Sequence, residues 1–169
     1  MDDHLPTTDE SSVRPRIRVM QLILSCILAG LVLFLIVALV VQRTGHINPI
    51  DPLGLTTLAV VGAIMIAVAL VAAAAVRTRL PSLLGKSESL EAALVRYFPL
   101  ATLVASIAEG GGVLMGVGLL VGGSPALFLP LGGVACLVLV SMIPSLARLE
   151  EAYRRGRRDR LEEQQWRRD

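Results

Sequence analysis

Aromatic residues make up only 4% of this 169-residue chain, with one tryptophan, two cysteines and two histidines. These scarcities close several classes of function. His46 and Asp51 are the only residues of their loop with metal-ligand chemistry, and two such groups cannot form a coordination shell. Cys26 and Cys136 both fall inside long apolar runs, where packing is the usual fate of a free thiol, so neither supports a redox reading. Gly85-Lys86-Ser87 looks like the end of a phosphate loop, but the earlier glycine that loop needs is missing, since position 80 is Leu. No nucleophile-base pair, metal set or cofactor motif is present, so no enzyme and no cofactor is expected.

Long apolar runs are what the chain has in quantity. Apolar residues reach 54% and the mean hydropathy is +0.68, above the roughly 45–50% apolar content of soluble domains. Met20 to Val41 is 22 residues without a charge and Thr56 to Val76 is 21. Pro99 to Gly122 has one charge, Glu109, and Ala126 to Leu146 has none. A hydrocarbon core of about 30 Å takes roughly 20 helical residues to cross, so each run is long enough to span. The expected fold is an all-α membrane protein, a four-transmembrane-helix bundle with spans at about 20–41, 56–76, 99–122 and 126–146. The first run lacks a small-x-small cleavage site after it and reads as a retained anchor.

Charge gives the orientation. Of the 16 lysines and arginines, Arg43 alone lies in the loops after the first and third spans. The others flank the remaining ends: Arg14, Arg16 and Arg18 before the first span, Arg77, Arg79, Lys86 and Arg96 in the middle connection, and eight arginines from Arg148 onward. By the positive-inside rule both termini and the middle connection are expected in the cytoplasm. Arginine outnumbers lysine 15 to 1 and Ala, Gly and Val abound, which points to a GC-rich bacterial genome and an inner membrane.

Three regions follow. Residues 1–13 read as a disordered acidic tail, 14–147 as the transmembrane domain, and 148–169 as a charged cytoplasmic helical tail. The first external loop is a tight turn through Asn48-Pro49 and Asp51-Pro52. Leu90, Leu94, Tyr97 and Phe98 recur at helical spacing and suit a short interfacial helix before Pro99, with the two aromatics at headgroup level. Pro144 is expected to bend the last turn of the fourth span. In the tail, Glu150 with Arg154, Glu151 with Arg155 and Glu163 with Arg167 stand four apart, each pair supporting an exposed helix by about 0.2–0.5 kcal/mol. Leu146, Leu149 and Tyr153 begin an apolar stripe that Gly156 and Arg160 end. Arg154, Arg155, Arg157 and Arg158 are candidates for anionic lipid headgroups. Acids interleave with these bases and no stacking aromatics accompany them, so no nucleic acid partner is expected.

Glu109 is the residue that stands out. A charged carboxylate at mid-bilayer costs about 2.5–3.5 kcal/mol on insertion scales, and no Lys, Arg or His lies at matching depth in another span. The neutral acid, facing protein or water, is the expected form. Ala105, Ser106, Gly112, Val113 and Gly116 share its helical face, and Ser106 joins it as a candidate proton or ion site. Ala108, Gly112 and Gly116 make a small-xxx-small series that lets a neighbouring helix approach, in this chain, in a second copy or in another membrane protein. Two readings of Glu109 follow: a hydrogen bond joining helices, or a proton or cation site. Shifting the first span by 80 positions pairs Arg16 with Arg96, Ile27 with Ile107 and Gly30 with Gly110, which suggests two parallel helical hairpins.

Arg18-Val19-Met20-Gln21 opening the first span, with Arg96, Ala108-Glu109-Gly110 and Gly122 along the third, resembles uncharacterised small four-span proteins of bacterial inner membranes. That resemblance implies a location and no activity. More distantly, the chain is similar to the proteolipid c subunits of rotary ATPases, whose Gly- and Ala-rich hairpins carry a mid-membrane carboxylate that Glu109 would match. There the carboxylate is on the second helix of a hairpin, whereas here it is on the first helix of the second pair, and their polar loop is missing. Small multidrug transporters also have four spans and a membrane glutamate, but in the first span, which has no acid here. The expected role is structural or accessory, packed through the glycine-rich third span; the alternative is a proton- or cation-coupled transporter component using Glu109.

Overall fold

A computed structural model of the protein describes residues 10–45, 51–85, 87 and 90–166. Most of the acidic tail, the His46 and Asn48-Pro49 part of the first loop, Lys86, and Arg167 of the pair with Glu163 lie outside the described residues.

The described residues fold into five α-helices and no strand: α1 (Glu10–Arg43), α2 (Pro52–Gly85), α3 (Leu90–Leu120), α4 (Pro125–Met142) and α5 (Leu146–Trp166). The first four each carry an apolar stretch long enough to cross a bilayer, in the order the uncharged runs predict. Their ends differ from expectation in instructive ways. Helix α1 begins at Glu10, so residues 10–13 are helical rather than part of a disordered tail. Helix α2 continues past Val76 to Gly85.

No separate interfacial helix precedes the third span, because α3 is continuous from Leu90 through Pro99. Ala93, Leu94, Tyr97 and Ala101 are all buried, so the apolar stripe passes the proline unbroken. Tyr97 does not lie at a surface; it is buried and its hydroxyl donates to the carbonyl of Met142 at 3.4 Å. Phe98 is exposed.

Both ends of α4 are set by prolines. Ser124, before Pro125, and Ile143, before Pro144, have ψ of 121° and 117°, the extended backbone that a following pyrrolidine ring imposes. Pro144 therefore ends the helix at Met142 instead of bending its last turn. The tight link from α3 to α4 relies on Gly122 at φ 92°. Its N–H donates to Leu119 O and that of Gly123 donates to Gly118 O at 2.8 Å, the paired bonds that close a helix end on a left-handed glycine.

Helix α3 packs against α1, α2 and α4; α4 in turn touches α1 and α2, while α1 and α2 scarcely meet. In cross-section this is a rhombus with α3 and α4 on the short diagonal. Half of the apolar window of α3 is buried, against 17% for α1 and 22% for α2, so α3 is the central post. Two equivalent hairpins are not what forms: α3 and α4 make a packed hairpin, and α1 and α2 lie on opposite flanks of it. Helix α1 runs parallel to α3, with Leu31 against Gly112 and Phe34 against Gly116. That register falls within two residues of the 80-position offset, as it would for any two spans that start at the same membrane face.

Polar contacts gather at the ends of the bundle. At the arginine-rich end, the carbonyls at and just beyond the end of α4 receive one donor from each other span. Arg77 of α2 donates to Ser141 O at 3.0 Å, Tyr97 of α3 to Met142 O, and Gln21 of α1 to Pro144 O at 2.7 Å. A helix C-terminus leaves such carbonyls without partners and carries partial negative charge, so the Arg77 guanidinium suits it twice over. At the opposite end Gln42 donates to Gly123 O at 2.6 Å. Gln21 and Gln42 thus clasp α1 to both ends of α4, about 31 Å apart along the helix at 1.5 Å per residue, close to the hydrocarbon thickness.

Helix α5 docks mainly on α2. Leu149 and Gly156 are buried, so Gly156 belongs to the packed face of the tail instead of ending its stripe. The buried Leu84 shows that α2 extends as far as it does because it has a neighbour to cover it.

Candidate functional site on the third helix

The small residues of α3 are taken up inside the protomer. Ala105, Ala108, Gly111, Gly112 and Gly116 are buried. A Cβ on Gly112 would stand 2.7 Å from a Leu31 methyl and 3.2 Å from Ala135 Cβ, and one on Gly116 would collide with the Phe34 ring. The Ala108, Gly112 and Gly116 stripe read from the sequence therefore seats side chains of α1 and α4. A second stripe of small residues, centred on Gly111, faces α2. A Cβ on Gly111 would lie 3.2 Å from both the carbonyl oxygen of Gly62 and the nitrogen of Ile66, so the two helices cross backbone to backbone.

Glu109 lies on the border of this packed surface. Its i−4 and i+3 neighbours, Ala105 and Gly112, are buried; its i−3 and i+4 neighbours, Ser106 and Val113, are exposed. Glu109 is half-buried and, among the described residues, its carboxyl has no hydrogen-bond or ion-pair partner. The face that Glu109 shares with these five residues is thus divided, with Ala105, Gly112 and Gly116 packed inward and Ser106 and Val113 open. Three helices cover one side of α3 and leave the other open, and the side chain at position 109 stands on the rim of that open sector.

Ser106 is on the open sector itself. One turn earlier, Thr102 is half-buried with its Oγ1 enclosed and without a partner. Thr102, Ser106 and Glu109 at i, i+4 and i+7 form a polar ladder beside the exposed Leu103 and Val113. Ser106 and Glu109 are legible in the sequence as a polar pair at helical spacing. The signal for Thr102 was available in the same spacing, but threonine in a span is easily taken for a side chain bonded to its own helix.

No group of three or more His, Cys, Asp or Glu stands together among the described residues. On α5, Arg154, Arg155, Arg157 and Arg158 are all exposed, and Arg155 pairs with Glu151 at 2.7 Å. Leu161 and Trp166 are exposed near them.

Fold and site together define a multi-pass helical membrane protein with a half-open polar ladder on its central helix. The chain matches no family model, no curated protein and no solved structure.

Proposed function

We propose that this chain is a non-enzymatic, structural or accessory membrane protein, a rigid four-span unit built around α3. The observation that carries the reading is that the small residues of α3 are occupied by side chains of the other three spans. A protein that moves a solute through its own bundle needs polar interior groups leading to and from the central acid, whereas the described side-chain hydrogen bonds between spans lie at the ends of the bundle.

A proton- or cation-coupled role for Glu109 is the second reading, favoured by the absence of a partner for its carboxyl among the described residues. Replacing Glu109 with Gln separates the two. In proteoliposomes carrying a pH-sensitive dye, the accessory reading predicts the same proton leak for wild type and E109Q. Proton-linked flux in the wild type that E109Q abolishes would overturn it.

The arginine distribution supports a bacterial inner membrane with both termini in the cytoplasm. In that orientation the exposed Arg154, Arg155, Arg157 and Arg158 meet the anionic leaflet, each worth up to about 1 kcal/mol near the surface.

A further inference from the structure

Helix α5 is covered for only part of its length. Leu149 and Gly156 are buried and Ala152 and Tyr153 half-buried where it docks on α2, whereas every described side chain from Arg157 to Trp166 is exposed. Helical turns in so short a stretch are marginal in water on their own, so the end of α5 calls for a second support. Arg154, Arg157, Arg158 and Leu161 stand at i, i+3, i+4 and i+7 and share one face, turned away from the docked one. Arg155 pairs with Glu151 at 2.7 Å, but Arg154, Arg157 and Arg158 have no ion-pair partner among the described residues. Asp159 and Glu162 fall to one side of that face and make no ion pair with it.

The start of the helix decides which surface is in reach. Only Ile143, Pro144 and Ser145 separate α5 from α4. The carbonyls of Ser141, Met142 and Pro144 meet Arg77, Tyr97 and Gln21 at the ends of the other spans, so α5 leaves the bundle at the edge of the bilayer. Its 21 residues are about 31 Å long. We infer that the turn carrying Arg154, Arg157 and Arg158 is a binding face for anionic lipid phosphates, and that the end of α5 lies along the leaflet with Leu161 and Trp166 at headgroup level. Charge complementarity names the occupant. Three uncompensated guanidiniums, each a planar fork of donors suited to phosphate, stand beside a leucine and close to a tryptophan, and a basic face with such apolar anchors is what holds a helix at an anionic membrane. The assignment rests on the cytoplasmic orientation proposed above, and it separates Arg155, engaged by Glu151, from the three arginines that take lipid.

Trp166 is the sole tryptophan of the chain and is 83% exposed, so its emission reports the end of α5 without a label. The full chain is reconstituted in vesicles of phosphatidylcholine alone and of phosphatidylcholine with phosphatidylglycerol. With phosphatidylglycerol the emission is expected to shift to the blue and to be quenched by bromine on that lipid's acyl chains; with phosphatidylcholine alone it should do neither. R154Q, R157Q and R158Q should each weaken the apparent affinity for phosphatidylglycerol by up to about fivefold. The triple variant should lose the preference, as should wild type in about 1 M salt, where the Debye length is about 3 Å, while R155Q stays within about twofold of wild type. Emission indifferent to phosphatidylglycerol, a triple variant that responds as wild type does, or a loss in R155Q as large as that of the triple variant would each overturn the assignment. Both leaflets of these vesicles are alike, so the preference does not depend on which way the chain is inserted. Its absence removes the lipid face alone, whereas a tail found on the outer face of the cell membrane removes the orientation and leaves the preference in place.

Discussion

The crossing of α2 and α3 gives the sharpest quantitative prediction, because Gly111 meets backbone there and backbone cannot rotate away. An alanine Cβ at position 111 would stand 3.2 Å from Gly62 O and from Ile66 N, and 2.8 Å from Ile66 Cγ1. The isoleucine can turn, but the other two contacts yield only if α2 retreats by a few tenths of an ångström along the largest helix interface in the molecule. Overpacking of this kind costs about 1–3 kcal/mol. Replacing glycine in a helix also returns up to about 1 kcal/mol of propensity, which hides part of the strain in a single measurement. Gly30 supplies the control, since it is mid-helix in α1 and a Cβ there meets nothing within 4 Å. The propensity gain is common to both, so the difference between G111A and G30A isolates the steric cost at about 1–3 kcal/mol. Reversible unfolding in bicelles by sodium dodecyl sulfate titration measures that difference. Equal stabilities, or a G111A protein more stable than G30A, would refute the backbone crossing.

The two glutamine clasps should behave as independent hydrogen bonds. Q21L and Q42L are each expected to lose about 0.5–1.5 kcal/mol, and the double variant the sum, because the sites lie about 31 Å apart; a double variant no worse than either single change would contradict the clasp geometry. Arg77→Met should lower stability by about 0.5–1 kcal/mol through loss of its bond to Ser141 O at the negative end of α4. Thermal unfolding in detergent reads this, and an unchanged midpoint would count against the contact.

The long uncharged runs made the number and order of the spans legible, because hydrocarbon admits few other chains of that composition. Helix ends were less legible. The extensions of α2 to Gly85 and of α3 back to Leu90 are made of mixed residues whose helicity depends on what covers them, with α5 docked on the one and Tyr97 held under α4 on the other. Neighbour relations could not be read at all: the spans of α1 and α2 carry almost no polar residues between their ends, so no polar face told which of their sides would meet α3. The small residues of α3 were legible as contact points, but their partners were not, and the assignment of Gly112 and Gly116 to packing inside the protomer needed Leu31 and Phe34 in place. Glu109 was found for its charge at mid-span. Its position on the rim, with Gly112 inward and Ser106 outward, depends on how three neighbours divide the circumference of one helix.

The chain has four helices long and apolar enough to cross a bilayer, and the proposed orientation puts its arginine-dense end on the cytoplasmic side. Single cysteines at Ser124, in the turn between α3 and α4, and at Arg158, exposed on α5, report the two faces in a background without Cys26 and Cys136. A membrane-impermeant maleimide applied to right-side-out vesicles should label S124C and spare R158C until the vesicles are opened. Labelling of R158C in sealed vesicles with S124C protected, or recovery of the protein from a detergent-free soluble fraction, would contradict it.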